Sequence, residues 1–202
     1  MGTPDSREYD RLKERNFGDY SEGHRHMYTS AIKQIQDATD GQGQHPHRRV
    51  TVFEAGFGIG YGLKQMLAAG IVDRYVGYEP QVDSFNYTVK ELATHEQAGD
   101  LNLFHGAFPA PMHGQEGQFE HVFCIEVIEH VPGEQHEYFL ARLWDTVAPG
   151  GTLWFSTPCI RRAPREGVRT TEEWASLLHK MTGEVPRVDR SRWTYLYRVD
   201  KA

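Results

Sequence analysis

The sequence predicts an α/β fold, a parallel sheet with helices on both faces. Three observations lead there. From Val50 onward, β-prone runs alternate with apolar stripes at helical spacing, the order that joins parallel strands through helical crossovers. The first such junction is a tight turn carrying Gly56, Gly58, Gly60 and Gly62. Near the carboxyl end, two short alternating runs read as a terminal hairpin.

The elements follow in chain order. Ser21 is a candidate N-cap, and Tyr28, Ala31, Ile32 and Ile35 then fall on one helical face. A polar segment with Gly and Pro punctuation, Asp40 to Arg49, separates this helical arm from the rest, so residues 1–49 are taken as an arm or lid and 50–202 as the core. Tyr20, His24, His26 and Tyr28 of the arm are candidates to line a pocket, or simply decorate an exposed helix. The run from Val50 to Leu67, VTVFEAGFGIGYGLKQML, reads as strand, glycine turn and helix. A second strand, Arg74 to Pro80, closes on Glu79, and Val82, Phe85, Val89 and Leu92 form a helical stripe read as core. Leu101 to Gly106 is the third strand, 109–118 a loop, and Phe119 to Ile125 an apolar fourth strand. A helix is predicted from Gly133 to Val147, stopped by Ala148-Pro149-Gly150-Gly151, and Thr152 to Thr157 is the fifth strand. Thr157, Pro158 and Cys159 then lie at its carboxyl end. The segment 160–169 is a basic loop with Arg161, Arg162 and Arg165, read as a solvated loop in preference to an anion-binding rim. Thr170 and Glu173 form a capping box for a helix ending at Gly183, and Glu184 to Asp189 and Arg192 to Val199 are the hairpin strands.

Composition narrows the function. A chain of 202 residues suits one domain with a full core. Its net charge of −6, without a block of Lys and Arg, makes nucleic acid an unlikely partner. The two cysteines, Cys124 and Cys159, lack metal-type spacing and point to a reducing compartment. The polar amino terminus has no apolar signal core, and the longest apolar runs are strand-sized, so a cytoplasmic protein without a membrane span is expected.

The glycine turn carries the chemistry. Glycines let a ligand approach bare backbone N–H groups at a helix N-terminus. A dinucleotide turn needs G-x-G-x-x-G, but Tyr61 and Leu63 stand where the third glycine belongs in either register. The G-x-x-x-x-G-K-[ST] pattern fails too. What is present is an acid, Glu54, two residues before G-x-G-x-G. A carboxylate in such a turn repels a pyrophosphate and attracts a cation. Glu79 follows at about the 20-residue distance of a ribose-binding acid in a βαβ unit.

These residues resemble motif I of the class I S-adenosylmethionine-dependent methyltransferases. Three further patches strengthen the resemblance: Glu79 at the end of the second strand, the run FCIEVIEHV that ends the fourth strand and continues beyond it, and V-A-P-G-G-T-L leading into the fifth. FCIEVIEHV is similar to the branch holding quinone-biosynthesis and other small-molecule methyltransferases. The resemblance implies a single Rossmann-like doubly wound sheet of seven strands with an antiparallel last strand, plus the helical N-terminal arm. It implies S-adenosylmethionine as cofactor, S-adenosylhomocysteine as product, and a small-molecule acceptor with an O or N nucleophile. Cofactor contacts are then expected from Glu54, Gly56, Gly58, Gly60, Glu79, Pro80, Ala107, Phe108 and Glu126. Many family members have an acid after the third strand; here Gly106, Ala107 and Phe108 stand there, so the Ala107 N–H and a Phe108 ring stacked on adenine are expected instead. Catalytic candidates are His130 first and His26 second. Glu126, Glu129 and His130, as E-x-x-E-H, also suit a divalent cation as in small-RNA ribose methyltransferases, although bracing of the loop is the favoured reading. The alternatives are therefore a metal-assisted RNA ribose 2′-O-methyltransferase and a non-catalytic S-adenosylmethionine-binding regulator.

Overall fold

A computed structural model describes residues 22–40, 49–93, 100–109, 116–158, 169–190 and 194–202. Tyr20, Ser21, Cys159, Arg161, Arg162 and Arg165, together with the side chain of His24, lie outside what is described. The described residues contain a seven-stranded sheet in the order β3-β2-β1-β4-β5-β7-β6. Its strands are β1 Val50–Ala55, β2 Val72–Glu79, β3 Asp100–His105, β4 Phe119–Cys124, β5 Val147–Pro158, β6 Arg187–Arg190 and β7 Thr194–Asp200. β1 to β5 run parallel, and β7 lies antiparallel between β5 and β6. The expected doubly wound sheet with an antiparallel last strand is therefore present. Its strand order reverses between β1 and β4, the switch point at whose carboxyl edge ligands bind in open α/β sheets.

Strand alternation divides the core. Val52 faces helices α1 (Glu22–Asp40) and α2 (Tyr61–Ala68), while Phe53 and Ala55 face α4 (His136–Thr146) and α5 (Thr171–Thr182). The amino-terminal helix is built into the first of these layers. Met27, Tyr28, Ala31, Ile32 and Ile35 of α1 are buried with Leu63, Met66, Phe123, Trp154 and Leu196. The rings of Tyr28, Phe123 and Trp154 stack in series, with centroids 6.0 and 6.1 Å apart. Burying each such large side chain stabilises the fold by about 1.5–3 kcal/mol.

Two local expectations need correction. Helix α3 (Val82–Leu92) does not bury the stripe Val82, Phe85, Val89, Leu92 as a whole. It turns Ser84, Thr88 and Leu92 inward and leaves Val82 and Val89 exposed. The reason is polar: the Thr88 hydroxyl donates to the carbonyl of Gly58 at 3.1 Å, so the helix presents its small residues to the glycine turn. Likewise, Ala148-Pro149-Gly150-Gly151 does not end a helix. α4 stops at Thr146, and these four residues bulge out of β5, whose pairing with β4 jumps from Phe119↔Val147 to His121↔Thr152. Gly150 and Gly151 instead exchange backbone hydrogen bonds with Lys201 at 3.0 and 2.8 Å. By contrast, the capping box of Thr170 with Glu173 and the left-handed cap at Gly183 hold α5 as expected.

Tyr28 of α1 packs directly against Gly62 of α2. A Cβ at position 62 lies only 2.1 Å from Cε1 of the Tyr28 ring. Gly62→Ala is therefore expected to destabilise the protein by about 1–3 kcal/mol through overpacking, despite the roughly 1 kcal/mol that alanine gains over glycine in a helix. Urea unfolding checks this, and the loss should shrink when Tyr28 is also truncated to Ala. Additive effects in the double variant would show that the two positions do not press on one another.

Candidate functional site

The site is built where β1, β2 and β4 end together. β1 runs into a turn in which Gly56, Gly58 and Gly60 all have positive φ, at 75°, 55° and 72°. Gly60 then serves as the left-handed N-cap of α2. At Gly56 both conformation and space demand glycine, because a Cβ there meets Cγ2 of Val127 at 2.5 Å. The turn thus lies against the chain that leaves β4.

Glu79 closes β2 and is 4% exposed. One carboxylate oxygen accepts the Gly58 N–H at 2.8 Å, and the other accepts the Gln81 N–H at 2.8 Å. Burial raises its pKa, while those two N–H groups and the nearby His105 and His130 act in the opposite direction. The carboxylate is held rigidly beside the turn, and each oxygen keeps a lone pair for a further donor. Pro80 is exposed just beyond it, with its carbonyl 3.2 Å from Nε2 of His105.

Glu54 sits differently from the expectation that it offers a carboxylate to a cation in the turn. It shares the face of Val52, which points to α1, and it is fully buried. The Tyr28 hydroxyl donates to its Oε1, and the Tyr75 hydroxyl donates to its Oε2 at 2.5 Å. Burial drives its pKa up to about 7; the two tyrosine hydrogen bonds lower it, and the charge of Glu79 adds to the rise. Tyr28, considered for a substrate pocket, is accordingly a buried partner of Glu54.

Phe108 is also corrected. Its ring is packed in the core, 5.3 Å from Phe53 and edge-on to Phe139 at 5.2 Å, because the chain after β3 folds inward at that point. Around the ends of β2 and β3, Phe85 lies 6.4 Å from Phe57 and 5.6 Å from His105, and Tyr78 stacks on Phe104 at 5.0 Å. Ala107 is exposed at this edge.

Beyond β4 the chain takes a strained step. Glu126 has φ 56°, the one described non-glycine residue with positive φ. Its N–H donates to the Ser156 hydroxyl at 2.8 Å, and its carboxyl atom Oε1 is buried without a hydrogen-bond partner. Burial first, and then the neighbouring Glu129, push its pKa up to about 8. Glu129 and His130 follow in a single 3-10 turn and are exposed. Among the described residues no group of three His, Cys, Asp or Glu side chains converges as a metal site, so Glu126, Glu129 and His130 do not form the triad considered for a cation. His26 is exposed on α1.

A family model described as a methyltransferase domain matches residues 6–197. The chain belongs to the methyltransferase-domain family. Solved methyltransferases share its fold. The magnesium protoporphyrin IX methyltransferase from Synechocystis, with bound S-adenosylhomocysteine, superposes at a TM-score of 0.70 and 15% identity, covering 98% of this chain and 95% of that one. The arsenic(III) S-adenosylmethionine methyltransferase from Chlamydomonas reinhardtii gives 0.64 and 16% identity, covering 77% and 65%. The methyltransferase domain of a bacterial Hen1 gives 0.61 and 18% identity, covering 84% and 99%. No functionally curated protein matches the sequence. No helix of the described residues is long and apolar enough to cross a membrane.

In this methyltransferase-family chain, Tyr75, Thr88 and Ser156 are functional partners that no sequence motif marks. Each serves the glycine turn or an acid beside it, and each lies in its own element, without a spacing that signals it.

The Glu54 environment has a measurable consequence. Its folded pKa of about 7 lies above the ordinary 4.5, so its stabilising effect is complete below pH 4.5 and is lost as pH rises through 7. Glu54→Gln removes that loss. Between pH 4.5 and 8 the variant should gain on the wild type by up to roughly 3 kcal/mol in urea unfolding. Parallel stability curves across that window would refute the assignment.

Proposed function

We propose that this chain transfers a methyl group from S-adenosylmethionine to an O or N nucleophile of a small-molecule acceptor. The observation that carries the reading is Glu79, a buried carboxylate fixed by two backbone N–H groups at the end of β2, directly beside the glycine turn. Its two acceptor oxygens suit a vicinal diol, here the ribose hydroxyls. The residues present fit the cofactor. The turn keeps a left-handed backbone at Gly56, Gly58 and Gly60, Ala107 is exposed just beyond β3, and Glu126 holds a buried oxygen without a donor. When bound, S-adenosylmethionine supplies an electrophilic methyl carbon on a sulfonium.

The work left to the protein is positional. Gly56, Gly58 and Gly60 allow close backbone approach at the α2 N-terminus, and Glu79 orients the ribose. The loop after β4 carries Glu126, Glu129 and His130 to the side on which an acceptor enters. His130 lies near enough to Glu79 to influence its ionisation, which suits a base acting beside the cofactor. His26 is the second candidate for that role.

Glu79→Ala is expected to weaken S-adenosylmethionine binding by more than tenfold, since it strips two charge-assisted hydrogen bonds. Calorimetry on a variant with unchanged circular dichroism tests this, and an unaltered affinity rejects the ribose-binding role. If His130 takes the acceptor's proton, His130→Ala lowers turnover roughly a hundredfold while cofactor affinity stays put. A change confined to cofactor affinity would assign His130 to binding.

A further inference from the structure

Three side chains unused above converge on the other flank of the carboxyl edge. His136 opens α4 and is buried. Its Nε2 lies 2.9 Å from the carbonyl oxygen of Val131, which can only accept, so Nε2 carries the proton. Its Nδ1 lies 2.8 Å from an Nη of Arg169, which can only donate, so Nδ1 is bare. The ring is therefore one defined neutral tautomer, and burial, the largest influence on it, lowers its pKa. The Arg169 guanidinium also lies over the indole of Trp174, 5.3 Å from the ring centroid. Trp174 is in turn fixed against His136 at 5.0 Å and against Phe155 of β5 at 5.3 Å.

Arg169 is thus gripped by two neutral groups, and neither cancels its charge. Among the described residues no carboxylate pairs with it, whereas the other half-buried arginines, Arg74, Arg142 and Arg198, each have an acidic partner. Glu173, the nearby acid of the α5 capping box, is bonded to Thr170. Orienting a half-buried guanidinium in this way is costly unless an anion completes the arrangement, and four of its five N–H donors remain beyond the bond to His136. Its place is telling. Val131 directly follows His130, and Arg169 stands just before α5, the next described element after β5. The cation therefore lies across the loop of Glu126 and His130 from Glu79, at the ligand-binding edge of the sheet.

We propose that Arg169, oriented by His136 and Trp174, binds an oxyanion of the methyl acceptor, so that the acceptor is a small organic acid. This rests on the methyl-transfer reading above. A planar guanidinium fork matches a carboxylate or phosphate with two parallel hydrogen bonds. Held there, the acid end of the acceptor leaves its nucleophile directed toward the loop of Glu126 and His130.

The test is calorimetric titration of the full chain, with and without S-adenosylhomocysteine, using 3,4-dihydroxybenzoate, its neutral methyl ester, and phenyl phosphate. The wild type should bind one of the two anions at least tenfold more tightly than the ester, and which anion wins identifies the oxyanion. Arg169→Leu should abolish the preference, and Arg169→Lys, which keeps the charge without the fork, should retain part of it and guards against a folding defect in the leucine variant. Equal affinity for acid and ester, binding of none of the probes, or a preference that survives Arg169→Leu overturns the proposal. S-adenosylhomocysteine binding separates the two readings: if it binds and no anion preference appears, the role of Arg169 alone fails. If it does not bind, the methyl-donor reading fails, and the titrations without it still decide the anion site.

Discussion

The carboxyl group of Glu54, gripped by the hydroxyls of Tyr28 and Tyr75, is the contact on which the rest of this structure depends. It joins three elements at one buried point: α1 through Tyr28, β1 through Glu54 itself, and β2 through Tyr75. An acid removed from water is tolerated only when its oxygens are hydrogen-bonded, and two phenol donors meet that need. The arrangement also fixes what lies above it. With Glu54 held on the α1 side, β1 enters the glycine turn in one orientation, and Tyr28 seals the space beside Gly62. The amino-terminal helix is thereby part of the scaffold that supports the turn.

From that foundation the edge of the sheet acquires its chemistry by position. β2 ends in Glu79, whose oxygens capture the N–H groups of Gly58 and Gln81, so the acid and the turn hold each other in place. Just beyond β4 comes Glu126, whose left-handed backbone and bond to Ser156 turn the chain sharply across the mouth. Val127 then rests where any side chain at position 56 would have to go. The contacts of Glu79 with Gly58, of Glu126 with Ser156 and of Gly56 with Val127 join elements far apart in sequence, which is why no single loop suffices for the site.

Much of this was legible in the sequence, for identifiable reasons. Strand and helix order, the glycine turn, Glu79 and the α5 caps are local signals: a period, a spacing, a capping pair. The misreadings came where tertiary contacts decided the outcome. Both Phe85 and Thr88 lie on plausible inward faces of α3, and the Gly58 carbonyl chose Thr88. Pro149 and Gly150 look like a helix stop, and the bonds to Lys201 made them a strand bulge. Glu54 looked like a ligand carboxylate because a strand residue before a glycine turn can face either way, and only the presence of Tyr28 on a distant helix settles which. Phe108 was assigned to the ligand on chain position alone, while its neighbours Phe53 and Phe139 drew it into the core.

Placing Glu79 and Glu126 at one edge, with Glu54 buried behind them against α1, has an electrostatic cost that their contacts only partly offset. Glu54, Glu79 and Glu126 all have raised pKa values, with burial as the main cause in each. Neighbouring acids add to the rise at Glu54 and Glu126, through Glu79 and Glu129 respectively. An edge of this kind resists further negative charge and is relieved by a cation. That argues against a pyrophosphate at the turn on physical grounds, independent of the failed glycine spacing, and in favour of a ligand with positive charge. Arg169, held by His136 and Trp174, stands apart from these acids on the far flank beyond β4. On the proposed methyl-transfer reading, with Arg169 as the acceptor's anchor, the two halves of the site differ in sign, and the loop of Glu126 and His130 lies between them.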